Sequence, residues 1–165
     1  MISLKQATNS KKDIDFLQRC FGSPDIMGCF QRTRVPGHET LRKRIVSQAE
    51  NRKYLFLIVR GVRYIGFGYA DRSRAFDHYE IGITIIPGMR RRGYGLQAHR
   101  LLLDYVIIRL KARRLVAYVS TGNKAERKVL ASCSFVHEGT MRQAGVTRGV
   151  IHDIAIYGIL KSEKR

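Results

Sequence analysis

The sequence predicts an α/β domain whose mixed, mostly antiparallel sheet is flanked by helices. Hydrophobic residues switch repeatedly between a period of two and a period of three to four, which gives the element order β-α-α-β-β-β-α-β-α-β-β. At 165 residues the chain is long enough to bury a core without disulfides or a metal. No internal repeat or long linker interrupts it, so we expect one domain over residues 1–165.

The first half of the chain carries two helical patterns and three strand patterns. Ile14 and Leu17 recur at helical spacing, and Leu41 and Ile45 form the apolar stripe of a second helix whose other face is basic. Strand patterns are recognised by their β-branched and aromatic residues. The predicted elements are a strand over 2–7, a helix over 10–21 ended by the break at 22–24, a helix over about 37–49, and strands over 54–59 and 63–70.

The second half predicts a strand that leads through a loop into a long helix. That helix begins near Gly93, and its apolar face includes Leu96, His99, Leu103 and Leu110. The predicted elements are strands over 79–86 and 115–120, a short helix over 124–132, and strands around 135–142 and 150–160.

The formal net charge of +18 is the strongest compositional signal. The excess of Lys and Arg divides equally between residues 1–75 and 76–165, which excludes a detachable basic tail. Such a charge is typical of proteins with nucleic-acid, ribosomal, acidic-protein or anionic small-molecule partners, and it also occurs on surfaces that only confer solubility.

Three cysteines, Cys20, Cys29 and Cys133, are an odd number without the spacing of metal ligands. They predict free thiols in a reducing compartment and no metal site. The N-terminus has no apolar run followed by a cleavage site, and no stretch is apolar enough to cross a bilayer. We therefore expect a cytoplasmic protein without membrane association.

The segment from Arg90 to Gly95 predicts a phosphate-binding loop. It follows a strand and opens a helix, where unpaired backbone N–H groups meet the positive end of the helix dipole. Gly93 and Gly95 allow close backbone approach, and the arginines add charge. The loop lacks the Gly-Lys-Ser/Thr ending of a P-loop and the third glycine of a dinucleotide-binding turn. Glycines that only start a tightly packed helix are the alternative interpretation.

The pattern Arg90, Gly93 and Gly95 resembles the pyrophosphate loop of the GNAT acetyltransferase superfamily, and the resemblance extends over nearly the whole chain. It is greatest to the branch of ribosomal-protein N-terminal acetyltransferases. The other segments that carry it are 23–27, 64–68, 80–85 with Pro87, 123–127, 134–135, 138–142 and 153–160.

The resemblance implies a GNAT fold in which the fourth and fifth strands splay apart to admit the pantetheine arm of acetyl-CoA. The backbone of the fourth strand pairs with this arm, the loop binds the pyrophosphate, and Asn123 contacts the arm or only caps the helix that follows. The implied cofactor contacts are Ile83, Thr84, Ile85, Arg90, Arg91, Arg92, Gly93, Tyr94, Gly95, Leu96, Asn123 and Arg127.

Acetyl transfer to an amine requires a group that removes a proton, because only a neutral amine attacks a thioester. Glu80 is the first candidate, since some GNAT enzymes carry a glutamate base on the fourth strand; a solvent-exposed strand residue is the alternative. Many members place a tyrosine where this chain has Leu130, so the usual proton donor is missing. Ser132 and Ser134 are the nearby hydroxyls, and hydroxyls near a helix end also cap it or bind water.

The resemblance implies an N-acetyltransferase that transfers acetyl to a primary amine by direct attack. The acceptor is a protein or peptide N-terminus or a small-molecule amine, and an acidic peptide, a ribosomal protein or a carrier protein are candidate partners for so basic a chain. A non-catalytic basic module that binds RNA or a ribosome is the alternative, although no aromatic cluster interleaves with the arginines as RNA stacking requires. Oligomeric state and acyl-chain preference stay open.

Overall fold

The computed structural model describes residues 1–28 and 35–164. The strands are β1 (Ser3–Gln6), β2 (Lys53–Arg60), β3 (Arg63–Arg72), β4 (Tyr79–Ile85), β5 (Arg114–Ser120), β6 (Val136–Thr147) and β7 (Val150–Leu160). The helices are α1 (Lys11–Gly22), α2 (Pro24–Met27), α3 (His38–Val46), α4 (Gln48–Asn51), α5 (Tyr94–Ile108) and α6 (Lys124–Ser132), with 3-10 turns at Pro87–Met89 and Lys161–Glu163.

All seven strands form one mixed sheet in the order β1-β2-β3-β4-β5-β7-β6. Only the central pair, β4 and β5, is parallel; the other neighbouring pairs are antiparallel. These two strands pair at Tyr79 with Leu115 and at Glu80 with Val116, and beyond those residues they separate. The predicted fold, a mixed and mostly antiparallel sheet with splayed fourth and fifth strands flanked by helices, is therefore confirmed.

Helices cover both faces of the sheet. On one face α5 buries Leu102 and Val106 against Ile81 of β4, and on the other face α1 and α3 bury Leu17 and Leu41 against β2 and β3. Burying a leucine side chain of this kind stabilises the fold by about 1.5–3 kcal/mol. The two faces position β4 between α5, which follows the phosphate-binding loop, and the helices of the first half.

The prediction of one continuous helix over 37–49 is wrong. The chain turns at Ser47 between α3 and α4, and this turn places the Gln48 side chain inside the protein. Its Nε2 donates to the carbonyl of Ala7 at 3.1 Å, and its Oε1 accepts from the N–H of Leu55 at 2.6 Å. Tertiary hydrogen bonds to β2 and to the segment after β1 thus override the helical period.

Three other predicted boundaries differ from the structure. The break after α1 is followed at once by α2, whose first turn is capped by Ser23 accepting from the N–H of Ile26 at 3.4 Å. Helix α5 ends at Ile108, so Leu110, predicted on its apolar face, follows the helix and still packs against the core. Strand β6 runs to Thr147 because it pairs with β7 beyond two bulges.

The cysteines within the described ranges are buried free thiols. Burial raises the pKa of Cys20 to about 12 and raises the pKa of Cys133 above its ordinary value, although nearby arginines oppose both shifts. Neither thiol therefore supplies a ready nucleophile. Cys29 lies outside the described residues. Within the described ranges, every helix is too short or too polar to span a lipid bilayer.

Candidate active site

The candidate active site lies where β4 and β5 separate. After Glu80 and Val116 the two strands no longer pair with each other, so backbone N–H and C=O groups along their facing edges need other partners. An extended pantetheine arm matches this opening, because it can form hydrogen bonds with a strand edge. The structure brings the predicted backbone contacts Ile83, Thr84 and Ile85 to the separated part of β4.

The predicted phosphate-binding loop ends at Gly93, the residue before α5. Gly93 adopts a left-handed conformation with φ of +77° and offers no side-chain cap, so the first N–H groups of α5 stay available to an anion. A Cβ built on Gly95 would meet nothing within 4 Å, which leaves the approach open. The structure brings together the predicted loop residues Arg91, Arg92, Gly93, Tyr94, Gly95 and Leu96. This geometry fits a pyrophosphate group.

Arg90 has a second set of contacts that the sequence did not indicate. Its Nε donates to the carbonyl of Ile85 at 2.9 Å, and its terminal nitrogen donates to the carbonyls of Asp25 at 2.9 Å and Ile26 at 2.6 Å. The guanidinium therefore connects the end of β4 to α2. Its role as a cofactor contact remains a prediction. Arg91 and Arg92 are exposed, and among the described residues neither forms hydrogen bonds of this kind.

Asn123 and Arg127 lie at the start of α6, beside the end of β5. Asn123 caps the helix, because its Oδ1 accepts from the N–H of Glu126 at 3.2 Å. Arg127 donates from Nε to the hydroxyl oxygen of Tyr157 and from a terminal nitrogen to the carbonyl of Thr121, both at 3.1 Å. Capping by Asn123 is confirmed, and the cofactor role of both side chains remains a prediction.

Glu80 lies at the vertex of the opening and has a tyrosine partner. It is the last residue of β4 that pairs with β5, and its Oε1 accepts a hydrogen bond of 2.8 Å from the hydroxyl of Tyr69 on β3. Burial raises the pKa of Tyr69 well above its ordinary value, and the charge of Glu80 raises it further. The phenol therefore stays protonated and holds one carboxylate oxygen in place.

Gly82 makes the contact between Tyr69 and Glu80 possible. It pairs directly with Tyr69 across β3 and β4, and a Cβ at position 82 would clash with the tyrosine ring. The ring therefore lies over the glycine and directs its hydroxyl to Glu80, two residues away on the same face. Sequence reasoning missed Tyr69; a glycine two residues after the predicted base was the available signal.

A second carboxylate, that of Asp71, faces the same side of the sheet. Asp71 pairs directly with Glu80 across β3 and β4, which places their Cβ atoms about 4.5–5.5 Å apart. Burial raises the pKa of Asp71 above its ordinary value, and the guanidinium of Arg44, 3.3 Å away, opposes that shift. Two acidic side chains thus mark this side of the vertex in a strongly basic protein.

A buried histidine connects the two walls of the opening. His99 on α5 is 1% exposed; its Nδ1–H donates to the carbonyl of Gly95 at 3.0 Å, and its Nε2 lies 2.9 Å from Oε1 of Glu126 on α6. Burial lowers the pKa of His99, but Glu126 and the Gly95 carbonyl outweigh it, so the pKa lies above its ordinary value. Sequence reasoning placed His99 on an apolar face and missed this ion pair.

Ser120 is a buried hydroxyl at the separated end of β5. It is 5% exposed, and its Oγ finds no hydrogen-bond partner among the described residues. Because Ser120 follows Val116 by four strand residues, its side chain points to the same face as that of Glu80. A buried hydroxyl without a partner calls for a ligand or a water molecule.

The two predicted hydroxyl donors lie at the other end of α6. Ser132 is exposed and donates to the carbonyl of Lys128 at 2.9 Å, one turn back in the helix. Ser134 adopts a left-handed conformation with φ of +65°, which residues other than glycine adopt uncommonly. Leu130 is fully buried in the core, so that position supplies no proton donor. The catalytic roles of Ser132 and Ser134 remain predictions.

Comparison with known sequences agrees with this geometry. A model of the acetyltransferase (GNAT) domain family matches residues 3–136. An uncharacterised N-acetyltransferase of Bacillus subtilis strain 168, YoaA, is 26% identical over an alignment of 171 positions, which covers 96% of this chain and 92% of the relative.

Solved structures show the same fold at lower identity. The spermidine N-acetyltransferase of Vibrio cholerae, in complex with CoA and spermine, is 19% identical with a TM-score of 0.85, covering 98% of this chain and 96% of that one. The ribosomal-protein-alanine N-acetyltransferase of Brucella melitensis is 18% identical with a TM-score of 0.84, covering 95% and 98%. These similarities extend over nearly the whole length of the chain.

Proposed function

Because the chain belongs to the GNAT acetyltransferase family, we propose that it transfers acetyl from acetyl-CoA to a primary amine by direct attack, with Glu80 as general base. The observation that carries this proposal is the position of Glu80 at the vertex of the opening, with one oxygen held by Tyr69. When bound, acetyl-CoA supplies the activated acyl carbon that the amine attacks.

Binding and orientation are the tasks of the loop and of β4. The N–H groups at the start of α5 and the side chains of Arg91 and Arg92 bind the pyrophosphate. The edge of β4 that has separated from β5 aligns the pantetheine arm so that its reacting end points to the vertex near Glu80. Holding the two reactants in one orientation lowers the entropic part of the barrier.

Proton removal is the task of the acidic side chains where β4 and β5 begin to separate. An amine arrives protonated at neutral pH, and the carboxylate of Glu80 attracts it, whereas that of Asp71 beside it is already paired with Arg44. Since Tyr69 occupies Oε1 of Glu80, Oε2 takes the proton, directly or through one water. The lone pair of the amine then attacks the thioester carbon, the C–S bond breaks, and CoA leaves as a thiolate that takes the second amine proton, directly or through water.

The acceptor that we propose is the α-amino group of a protein or peptide whose next residues are acidic or neutral. A net charge of +18 repels a polyamine and attracts an acidic acceptor. The two acidic side chains at the vertex need attract only one ammonium group, which an N-terminus supplies. A small-molecule amine is the alternative acceptor.

The base is tested with the variant Glu80→Gln, with Glu50→Gln on α4 as the exposed control. We expect kcat at saturating acetyl-CoA to fall about 100-fold or more, while KM for acetyl-CoA and the activity of the control stay unchanged. A wild-type kcat with an unchanged pH–rate profile would remove Glu80 from the mechanism.

The acceptor is tested by following CoA thiol release with a panel of amines. Peptides that differ only in acidic or basic residues after the N-terminus are compared with spermidine, at low and high salt. We expect the acidic peptides to give the highest kcat/KM and to lose most of that advantage at high salt. A preference for spermidine would contradict the peptide acceptor, and binding of acetyl-CoA without thiol release would favour a non-catalytic module.

A further inference from the structure

A basic cavity lies at the end of the sheet opposite the phosphate-binding loop. Its volume is about 410 Å³, and it surrounds the first residues of β4 and β5, Tyr79 and Arg114. Helix α5 separates it from the loop, and 15 residues of helix span about 22 Å. The cavity is therefore distinct from the phosphate-binding loop, and it lies at the paired ends of β4 and β5 rather than where they separate.

Six of the twelve residues that line this basic cavity are arginine or lysine, and one is acidic. The basic residues are Arg52, Arg72, Arg109, Lys111, Arg113 and Arg114. A concave site with one sign of charge focuses its field and concentrates ligands of the opposite sign. Coenzyme A bound at the phosphate-binding loop would lie at the other end of the sheet, so it does not explain these charges.

Three of the six cations already have carboxylate partners. Asp77 accepts from Arg72 at 2.6 Å and from Arg113 at 2.5 Å, and Arg114 forms a two-point contact with Glu138. These pairs are partly or largely exposed, so they neutralise part of the positive charge of the wall but contribute little to its stability.

The other three cations, Arg52, Arg109 and Lys111, form no ion pair with any carboxylate in residues 1–28 or 35–164. They come from two separate parts of the chain, the end of α4 and the connection between α5 and β5, and they converge on one cavity. Like charges brought together repel one another. An anion between them would remove that repulsion.

The ends of two helices determine where two of these cations lie. Arg52 has φ of +49° and Lys111 has φ of +56°, the left-handed conformation with which helices commonly end, and the two residues follow α4 and α5. The carbonyl of Arg52 accepts from the N–H of Arg72 at 2.8 Å, and the N–H of Ala112 donates to the carbonyl of Val106 at 3.2 Å. The tertiary structure therefore holds both cations where they are.

We propose that this basic cavity binds a small anion that carries at least two phosphate groups, such as pyrophosphate or a nucleoside diphosphate. Two phosphates supply the negative charge that three unpaired cations require, and the arginine fork matches phosphate oxygens at two points. The volume lies within the range of small-molecule sites. Tyr79, which is 6% exposed on the cavity wall, adds a hydroxyl donor.

Shape favours a small ligand over a nucleic acid. Proteins that bind single-stranded nucleic acid use a charged groove that follows the backbone, with aromatic rings on which successive bases stack. Here the unpaired cations meet in a single concave site. The experiment therefore includes a single-stranded RNA, whose tighter binding would contradict a site for a small anion.

The test is calorimetric titration of the protein, loaded with one equivalent of acetyl-CoA, with inorganic pyrophosphate, ADP and a short single-stranded RNA. The variant Arg109→Ala with Lys111→Ala removes two exposed, unpaired cations. Its matched control, Arg42→Ala with Lys11→Ala, removes the same two residue types from the exposed faces of α3 and α1. Thermal unfolding of all three proteins verifies that each is folded.

We expect pyrophosphate to bind with one-to-one stoichiometry and the double variant to weaken it by about tenfold or more, as loss of charge-assisted contacts does. The control should leave the affinity unchanged. Tighter binding of ADP than of pyrophosphate would also support the site and would extend it to the nucleoside. Absence of binding, an equal loss in the control, or tighter binding of RNA than of either phosphate would overturn the proposal. None of these outcomes depends on whether acetyl transfer occurs.

Discussion

The hydroxyl of Tyr69 donates a hydrogen bond of 2.8 Å to Oε1 of Glu80, across the pair of strands that leads into the candidate active site. Burial keeps this phenol protonated, so it remains a donor at any pH near neutrality. No described residue donates to Oε2 of Glu80. The tyrosine therefore determines which carboxylate oxygen faces an incoming amine.

Replacement of Tyr69 by phenylalanine removes this donor and keeps the ring over Gly82. A hydrogen bond to a charged group contributes about 1.5–3 kcal/mol, so we expect kcat to fall about tenfold or more. KM for acetyl-CoA should stay unchanged, because the phosphate-binding loop is not altered. Steady-state kinetics at saturating amine measure both quantities.

The control is Tyr64→Phe, since Tyr64 also donates to a carboxylate, Asp13, at 2.6 Å. That pair lies between β3 and α1, where its loss should lower stability and leave kcat unchanged. An equal loss of kcat in both variants would mean that Tyr69 acts only through the stability of the fold.

Arg90→Ala separates the structural task of this arginine from cofactor binding. The variant loses three bonds from a charged donor to the carbonyls of Ile85, Asp25 and Ile26. Because these contacts are exposed to solvent, we expect the free energy of unfolding to fall by about 1–2 kcal/mol, as measured by urea denaturation.

Arg92→Ala is the matched comparison in the same loop. Arg92 is exposed, so its removal should leave the free energy of unfolding unchanged and weaken acetyl-CoA binding about tenfold. If Arg90→Ala weakened acetyl-CoA binding and left stability intact, the connection to α2 would not be its main role.

Sequence patterns predicted the elements that depend on local chemistry. The start of α5 at Gly93 follows from a glycine-punctuated loop after a strand, and the opening between β4 and β5 follows from the family resemblance. The first prediction depends on residues that are close to one another in the sequence. The second depends on a feature that the whole family shares. These are the parts of the site that were foreseen.

Sequence patterns did not predict contacts that depend on register or on the packing of distant helices. Tyr69 reaches Glu80 only because β3 and β4 pair Tyr69 with Gly82, and a shift of one residue would turn the ring to the other face. His99 meets Glu126 only because α5 packs against α6. Such contacts require the tertiary structure.

Ser134→Gly should stabilise the protein. Ser134 has φ of +65°, a conformation that glycine adopts freely and other residues adopt at a cost, so we expect a gain of about 0.5–1 kcal/mol in the free energy of unfolding. Thermal unfolding should show a Tm higher by about 1–4 °C.

Ser132→Gly is the comparison of opposite sign, because Ser132 lies within α6 and glycine is a poor helix residue. The same variants test the two predicted hydroxyls. If Ser134→Gly is stabilised but loses turnover, the hydroxyl of Ser134 takes part in the reaction; unchanged turnover in both variants would remove both serines from the mechanism.

Glu126→Gln should destabilise the protein in a pH-dependent manner. The pKa of His99 is raised in the folded state, so the ion pair stabilises the fold fully below the unfolded-state pKa and loses its effect as the pH rises through the folded-state value. The variant retains the burial that lowers the pKa of His99 and loses the carboxylate that raises it.

We therefore expect Glu126→Gln to lower the free energy of unfolding by about 1–2 kcal/mol near pH 5.5, and by less near pH 8.5, because the ion pair contributes less as the pH rises. Urea denaturation at the two pH values measures the difference. Glu39→Gln on α3, which removes an exposed ion pair with Lys43 at 3.9 Å, should show a small effect that is equal at both. A loss for Glu126→Gln that grew with pH would contradict a stabilising ion pair between protonated His99 and Glu126.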